Sequence, residues 1–162
     1  TLGVMPLYHT MGVRSLLAMA IVDGTFVCMP KFDPAEALAL IARERITNLY
    51  LVPTLYHDLI GHADFAGTDT RSVRKIGFAG APMSDGLLKR LAAAFAPELF
   101  VNHYGSSEIY TFSLDQDAPA KPGSAGRAAF NARLRVVKLD AKGPDDVAAP
   151  GEVGRVSGSG AA

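Results

Sequence analysis

Short apolar runs alternate with amphipathic stretches along most of this chain. Residues 11–22 are dominated by apolar and small side chains, with Leu16, Met19 and Ala20 at helical spacing. Asp23-Gly24 closes them, with glycine as the expected left-handed stop. Thr25-Phe26-Val27-Cys28-Met29 is a short β-branched and apolar run, stopped by Pro30. Asp33-Pro34-Ala35-Glu36 marks a helix start: Asp33 serves as N-cap, Pro34 takes the first helical position, and Glu36 can reach back. Leu38, Ile41 and Ala42 then predict one apolar stripe.

A strand is expected over residues 49–52, ended by Pro53, and a helix over 54–60. Residues 74–79 read as the next strand, running into Gly80-Ala81-Pro82. Ser84 caps a helix in which Leu87, Leu91 and Phe95 fall one turn apart. Residues 100–104 form the strand that follows. Short apolar strands separated by amphipathic helices predict an α/β fold, a largely parallel sheet flanked by helices on both faces.

The texture changes after Asp115. Residues 115–127 are polar and rich in Pro and Gly, and read as a loop. Beyond them, residues 134–139 and 153–156 flank a segment containing Gly143-Pro144 and Pro150-Gly151. This predicts the start of a small antiparallel β unit. The expected organisation is an α/β subdomain over 1–114, then a loop and an incomplete β subdomain over 115–162.

At 162 residues the chain can form one substantial core or part of a larger domain. It opens in what reads as mid-domain sequence, so a fragment is expected. Sixteen basic residues balance sixteen acidic ones, so no net field recruits nucleic acid or an anionic membrane. Its longest strongly apolar stretch, residues 16–22, is too short to span a bilayer. Cys28 is the single cysteine, which excludes an internal disulfide; its apolar neighbours predict a core thiol, and a reducing cytoplasm fits. An isolated half-sheet would expose apolar edges, so homo-oligomers are expected.

The richest chemistry lies in Asn102-His103-Tyr104-Gly105-Ser106-Ser107-Glu108. It places two hydroxyls and a carboxylate just past a predicted buried strand. Gly105 permits a sharp turn or a close backbone approach. Ser106 and Ser107 can donate to phosphate oxygens, and Glu108 can ligate Mg²⁺, which prefers carboxylate and phosphate oxygen. In open parallel sheets ligands gather beyond the carboxyl ends of the strands. Pro53-Thr54, Gly80-Ala81-Pro82 and Tyr104-Gly105-Ser106-Ser107-Glu108 all stand at such ends.

The run from Tyr104 to Glu108 resembles the Tyr-Gly-Ser/Thr-Thr/Ser-Glu signature of the adenylate-forming superfamily of acyl- and aryl-CoA ligases, luciferases and peptide-synthetase adenylation domains. Phe78-Ala79-Gly80-Ala81-Pro82-Met83 is similar to the segment whose backbone lies against adenine. Pro6-Leu7-Tyr8-His9-Thr10-Met11-Gly12 resembles the Pro-Leu-Phe/Tyr-His-x-x-Gly segment of acid–CoA ligases. Lys121-Pro122-Gly123-Ser124-Ala125-Gly126-Arg127 is similar to the family's Pro-Gly-Ser-x-Gly loop. Gly151-Glu152-Val153-Gly154-Arg155-Val156 resembles a Gly-Glu-x-Gly-Glu-Leu segment, departing from it at Arg155, where an acid is common. The overall pattern looks most like the 4-chlorobenzoate and benzoate-type CoA ligases.

The resemblance implies ATP, Mg²⁺ and CoA, with an acid as partner. It implies adenine contacts from Gly80, Ala81, Pro82, Asn102 and Tyr104, with Gly105, Ser106 and Ser107 completing the nucleotide site and the Ser107 hydroxyl near the α-phosphate. Glu108 would be the metal ligand, and Ser107 and Glu108 the catalytic pair. The acid pocket would be lined by His9, Thr10, Tyr56, Gly80, His103, Gly105, Ile109 and Tyr110. Such rings suit a small aromatic or heteroaromatic acid. The superfamily's phosphate loop, ribose-binding Asp and catalytic Lys fall outside these residues, so turnover by this chain alone is not expected.

A medium-chain acyl-CoA synthetase is the alternative, and a peptide-synthetase adenylation domain another, although His9 favours a CoA ligase. A non-catalytic nucleotide-binding or scaffold module is the reading from a different class. No Gly-x-Gly-x-x-Gly follows a strand, which disfavours a Rossmann dehydrogenase. His57 and His62 are five residues apart, poor spacing for a metal on one helical face, and predict solvated side chains. Arg71, Arg74 and Lys75 predict a solvated basic surface.

Overall fold

The computed structural model describes residues 1–109, 111–130 and 132–160. Strands β1 (Leu2–Gly3), β2 (Val27–Cys28), β3 (Asn48–Leu51), β4 (Lys75–Phe78) and β5 (Leu99–Tyr104) alternate with helices α1 (Thr10–Ile21), α2 (Pro34–Arg43), α3 (Pro53–Gly61) and α4 (Asp85–Phe95). A short 3-10 helix, Ala63–Gly67, follows α3. Strands β6 (Ser113–Asp115) and β7 (Arg127–Ala128) complete a sheet of order β2-β1-β3-β4-β5-β6-β7. The first five strands are parallel, and β6 and β7 join antiparallel. A second sheet pairs β8 (Ala132–Lys138) with β9 (Gly154–Gly160) antiparallel. Residues 115–127, read from the sequence as a loop, begin in β6 and end in β7, with turns between.

Local signals act as the sequence dictates. Asp33 accepts from the Glu36 N–H at 2.9 Å, and Ser84 accepts from Leu87 N–H at 3.3 Å. Helix α1 ends differently from expectation. Asp23, not Gly24, takes the left-handed conformation at φ 52°, and Gly24 N–H donates to Met19 carbonyl at 2.8 Å. That bond closes a Schellman turn, which an aspartate can enter.

Right-handed crossovers explain the layering. The connection from β1 to β2 runs one way across the sheet, and the next three run the other way. Right-handed connections of opposite direction place their helices on opposite faces. So α2, α3 and α4 pack together on one face, while α1 lies on the other. Helical cover is therefore unequal.

Strand alternation fills the first face. Leu49, Leu51, Ile76, Phe78 and Phe100 meet Ala37, Leu38, Leu40, Ile41, Leu59, Leu88 and Leu91. The α2 stripe runs through Ala37 and Leu40 as well as Leu38 and Ile41, whereas Ala42 is exposed. Leu87, Leu91 and Phe95 of α4 are buried, as their spacing implies. Cys28 is exposed, contrary to the expectation of a core thiol. Alternation on the edge strand β2 turns Met29 into the core and Cys28 outward. Among the described residues no helix is long and apolar enough to cross a membrane.

Candidate functional site

Register brings the expected segments together. Phe78 of β4 sits beside Asn102 of β5, so the chain leaving β4 through Gly80 runs next to the chain leaving β5 through Tyr104. Gly80 has φ 85°, a conformation that favours glycine, and a Cβ there would stand 3.4 Å from Val52. Gly80, Ala81 and Pro82 are all exposed. They form an open backbone ledge at the carboxyl edge of the sheet, on which a flat ring can lie.

The turn after β5 is internally braced. Ser106 N–H donates to the Ile109 carbonyl at 3.1 Å, and Ile109 N–H donates to Ser106 Oγ at 3.4 Å. Phe112 N–H donates to the Tyr104 carbonyl at 2.8 Å, folding the chain back into β6. The Tyr104 and Phe112 rings lie 5.7 Å apart, and Tyr104 keeps an exposed side. Gly105, Ser107 and Glu108 are exposed on the turn. The Ser106 hydroxyl holds the Glu108 carboxyl below its usual range, helped by the residue's own N–H, so it is ionised at neutral pH.

Asn102 shows a partner that sequence reading did not supply. Its Nδ2 donates to the Ser124 carbonyl at 2.8 Å. A carbonyl only accepts, so this bond fixes the amide orientation and leaves Oδ1 as the acceptor. The loop bearing Ser124 is held close by Gly126, at φ 76°, where a Cβ would strike the Leu114 carbonyl at 1.9 Å. The glycines flanking Ser124 were the available signal for this close approach. The bond to Asn102 follows only from the fold.

The expected acid-pocket residues divide. His9 is exposed and caps α1, its Nδ1 accepting from Met11 N–H at 3.1 Å. Thr10, half-buried, opens that helix. Ile109 is half-buried in the turn. Tyr110 lies outside the described residues. Tyr56 is corrected: it is fully buried, and its hydroxyl lies 3.0 Å from the Leu49 carbonyl and 2.9 Å from that of Gly77. It packs within the α2–α4 core and forms no pocket wall, because its place on α3 faces the sheet.

His103 lies on the opposite face, at the carboxyl end of a cavity of about 710 Å³ between α1 and the sheet. Arg14 and Met19 of α1, Tyr50, Gly77 and Val101 also line it. Arg14, Tyr50 and Gly77 carried no signal as pocket residues in one dimension; the alternation of Leu99, Val101 and His103 along β5 is what aligns them. Tyr50 and His103 rings stand 4.9 Å apart. Burial, with the Arg14 charge adding, pushes the His103 imidazole down to about 4, so it is neutral at pH 7.

Among the described residues no cluster of three or more His, Cys, Asp or Glu side chains could hold a metal. The donor set nevertheless suits Mg²⁺, which takes one or two protein carboxylates and completes its sphere with phosphate oxygens and water. Glu108, exposed and ionised, offers a carboxylate of that kind. His62 is corrected from a merely solvated residue: its Nδ1 accepts from Asp64 N–H at 3.3 Å and caps the short 3-10 helix. His57 is exposed beside Asp58. Arg71 pairs with Asp69 and Arg74 with Glu98, all exposed.

A family model, AMP-binding enzyme, matches residues 1–162. The chain belongs to the AMP-binding enzyme family. Within it, 4-chlorobenzoate–CoA ligase of Pseudomonas sp. (strain CBS-3) is 38% identical over 139 residues, covering 85% of this chain and 26% of that protein. The medium/long-chain-fatty-acid–CoA ligase FadD8 of Mycobacterium tuberculosis is 32% identical over 159 residues, 96% of this chain and 27% of that protein. The crystal structure of the N-terminal domain of FACL13 from Mycobacterium tuberculosis superposes with TM-score 0.78 at 29% identity, covering 86% of this chain and 36% of that one. The chain therefore spans about a quarter of the length of these curated relatives.

Proposed function

We propose that the whole protein containing this chain is an ATP-dependent acid–CoA ligase acting on a small aromatic or heteroaromatic carboxylate. One observation carries this reading: the braced turn from Tyr104 to Ile109 presents Ser107 and an ionised Glu108 beside the exposed ledge of Gly80, Ala81 and Pro82. The overall reaction joins the acid carboxylate to the α-phosphorus of ATP with loss of pyrophosphate, after which the CoA thiol displaces AMP. Mg²⁺, when bound, neutralises charge on the phosphate oxygens.

The chain's own groups then have distinct tasks. The ledge and the Tyr104 ring border the base, and Asn102 Oδ1 accepts from its amino group. Ser107 donates to a phosphate oxygen, and Ser106 does so in place of its bond to Glu108, since its hydroxyl has one proton to give. Glu108 holds the cation. The acid lies between α1 and β5, bordered by His9, Thr10, Gly80, His103, Gly105 and Ile109. No protein nucleophile is needed, since the acid itself attacks. Self-association of the chain would involve the bare side of α1, where Ile21 is 84% exposed.

Acid-dependent pyrophosphate release by the whole protein tests the assignment, with benzoates, furoate and C6 to C10 fatty acids compared. Release with aryl acids that drops about 100-fold or more in Glu108→Gln is expected. Preference for octanoate over every aryl acid would move the substrate to the medium-chain class, the class to which the FadD8 relative belongs by name. Folded protein that releases no pyrophosphate with any acid would favour a non-catalytic nucleotide-binding role.

A further inference from the structure

Helix α1 and the turn after β5 lie far apart in sequence, yet a side-chain bond joins them. Arg14 Nη1 donates to Thr111 Oγ1 at 2.8 Å, across 97 residues. Both residues are half-buried, so water competes with the bond less than it would at the surface, and the charge on the donor strengthens it. Helix geometry explains the reach. Helix α1 starts just past the carboxyl end of β1, so its first turn lies at the edge where the turn after β5 also stands. Side chains on a helix lean towards its N-terminus, which carries the long Arg14 side chain to that edge. Arg14 also borders the same cavity as His103, and its charge helps to keep that imidazole neutral.

Thr111 sits at a sensitive point. Its neighbour Phe112 closes the base of the turn, its N–H donating to the Tyr104 carbonyl at 2.8 Å. Nearer the tip, the N–H groups of Ser106 and Ile109 make the bonds that hold the turn's shape. Internal bonds fix shape but not tilt: a turn held only at its base can swing as one body about the end of β5. The Arg14 bond anchors it to a helix that packs on β1 and that starts with His9 as its cap and Thr10 as its first residue. Ser107 and Glu108 lie exposed on the turn, so their place relative to the Gly80 ledge follows that tilt.

We propose that Arg14 is a positioning residue that acts through Thr111, fixing the tilt of the turn and with it the place of Ser107 and Glu108. The inference rests on the ligase reading above and adds to it a group that touches no reacting atom. Loosening the tie lowers the fraction of molecules in which Ser107 and Glu108 stand correctly for the phosphates and the cation, so kcat falls. The borders of the acid site stay in place, so KM for the acid changes little.

The test measures kcat and KM for acid-dependent pyrophosphate release by the whole protein, with Arg14→Met, Thr111→Val, the two combined, and Thr111→Ser. Hydrogen–deuterium exchange of the same proteins without ligands follows residues 104–112. Arg14→Met and Thr111→Val are each expected to lower kcat about tenfold, with KM for the acid within about twofold. The combined variant should be no slower than either alone, because both remove one bond. Thr111→Val keeps the Arg14 charge, so equal losses cannot come from the charge itself. Thr111→Ser keeps the hydroxyl and should stay within about twofold of the parent. Exchange over 104–112 should quicken in Arg14→Met and Thr111→Val, with α2 and α4 unchanged. Should Arg14→Met fail to fold, Thr111→Val and Thr111→Ser carry the same comparison. Multiplying losses in the combined variant, a loss confined to KM for the acid, or unchanged exchange of the turn would overturn the role of Arg14 and leave the ligase intact. Folded parent that releases no pyrophosphate with any acid would instead remove the ligase reading and this inference with it.

Discussion

The two faces of the main sheet come from the same strands yet do opposite things. On one, Leu49, Leu51, Ile76, Phe78 and Phe100 are closed over by α2, α3 and α4, leaving side chains such as Leu91, Leu59 and Tyr56 without exposure. On the other, Tyr50, Gly77, Val101 and His103 look into a cavity that, among the described residues, α1 is the helix to cover, and its outer residues Leu17 and Ile21 stay exposed. Alternation along a strand thus assigns one set of residues to stability and the other to space. The buried Nδ1 of His103, on this second face, has no hydrogen-bond partner among the described residues.

The sharpest way to break this contrast is to truncate one leucine on each side. Leu91→Ala should cost about 2–5 kcal/mol, since the cavity it leaves cannot be refilled by water or by collapse of a close-packed layer. Leu17→Ala, at a position 55% exposed, should stay within about 0.5 kcal/mol. Urea unfolding of this chain compares them directly. Equal costs would mean that α1 is as well packed as α4.

Acid should weaken the open face through His103. The unfolded imidazole takes its proton near 6.5, while the folded one waits until about 4. Between these values the unfolded state binds more protons. Stability is therefore full above 6.5 and is lost as pH falls towards 4, by about 3 kcal/mol in all. His103→Gln should flatten that part of the slope, measured as the difference between parent and variant urea midpoints at pH 7 and pH 4.5. A titration of His103 near 6.5 by NMR would show that the cavity is wetter than its walls suggest.

The smallest effect separates structure from specificity at Tyr56. Tyr56→Phe should cost about 1–2 kcal/mol, because the Leu49 and Gly77 carbonyls lose a buried donor. Acid preference should not change, as the ring lies on the closed face. A shift in the benzoate to hydroxybenzoate ratio in this variant would return Tyr56 to the pocket.

Much of this molecule is legible in one dimension. The capping residues Asp33 and Ser84, the Leu87, Leu91 and Phe95 stripe, the strand-ending prolines and glycines, and the ordered motifs from Pro6 to Arg127 are local patterns. Local patterns are set by backbone sterics, capping and periodicity, which neighbours in sequence control. They identified the α/β class, the family and the segments that cluster at the carboxyl edge.

Decisions that depend on partners distant in sequence were left to the tertiary structure. Cys28 and Met29 read alike as apolar, and only the placement of β2 at the sheet edge turned one outward. Tyr56 and His103 both read as aromatic pocket walls, yet the crossover handedness sent α3 to the closed face and left His103 on the open one. Asn102 received its partner from Ser124, twenty-two residues away. The sequence by itself determined which elements form and what chemistry they carry. The tertiary structure decided which face each side chain serves, because burial and hydrogen-bond satisfaction belong to the packed sheet as a whole.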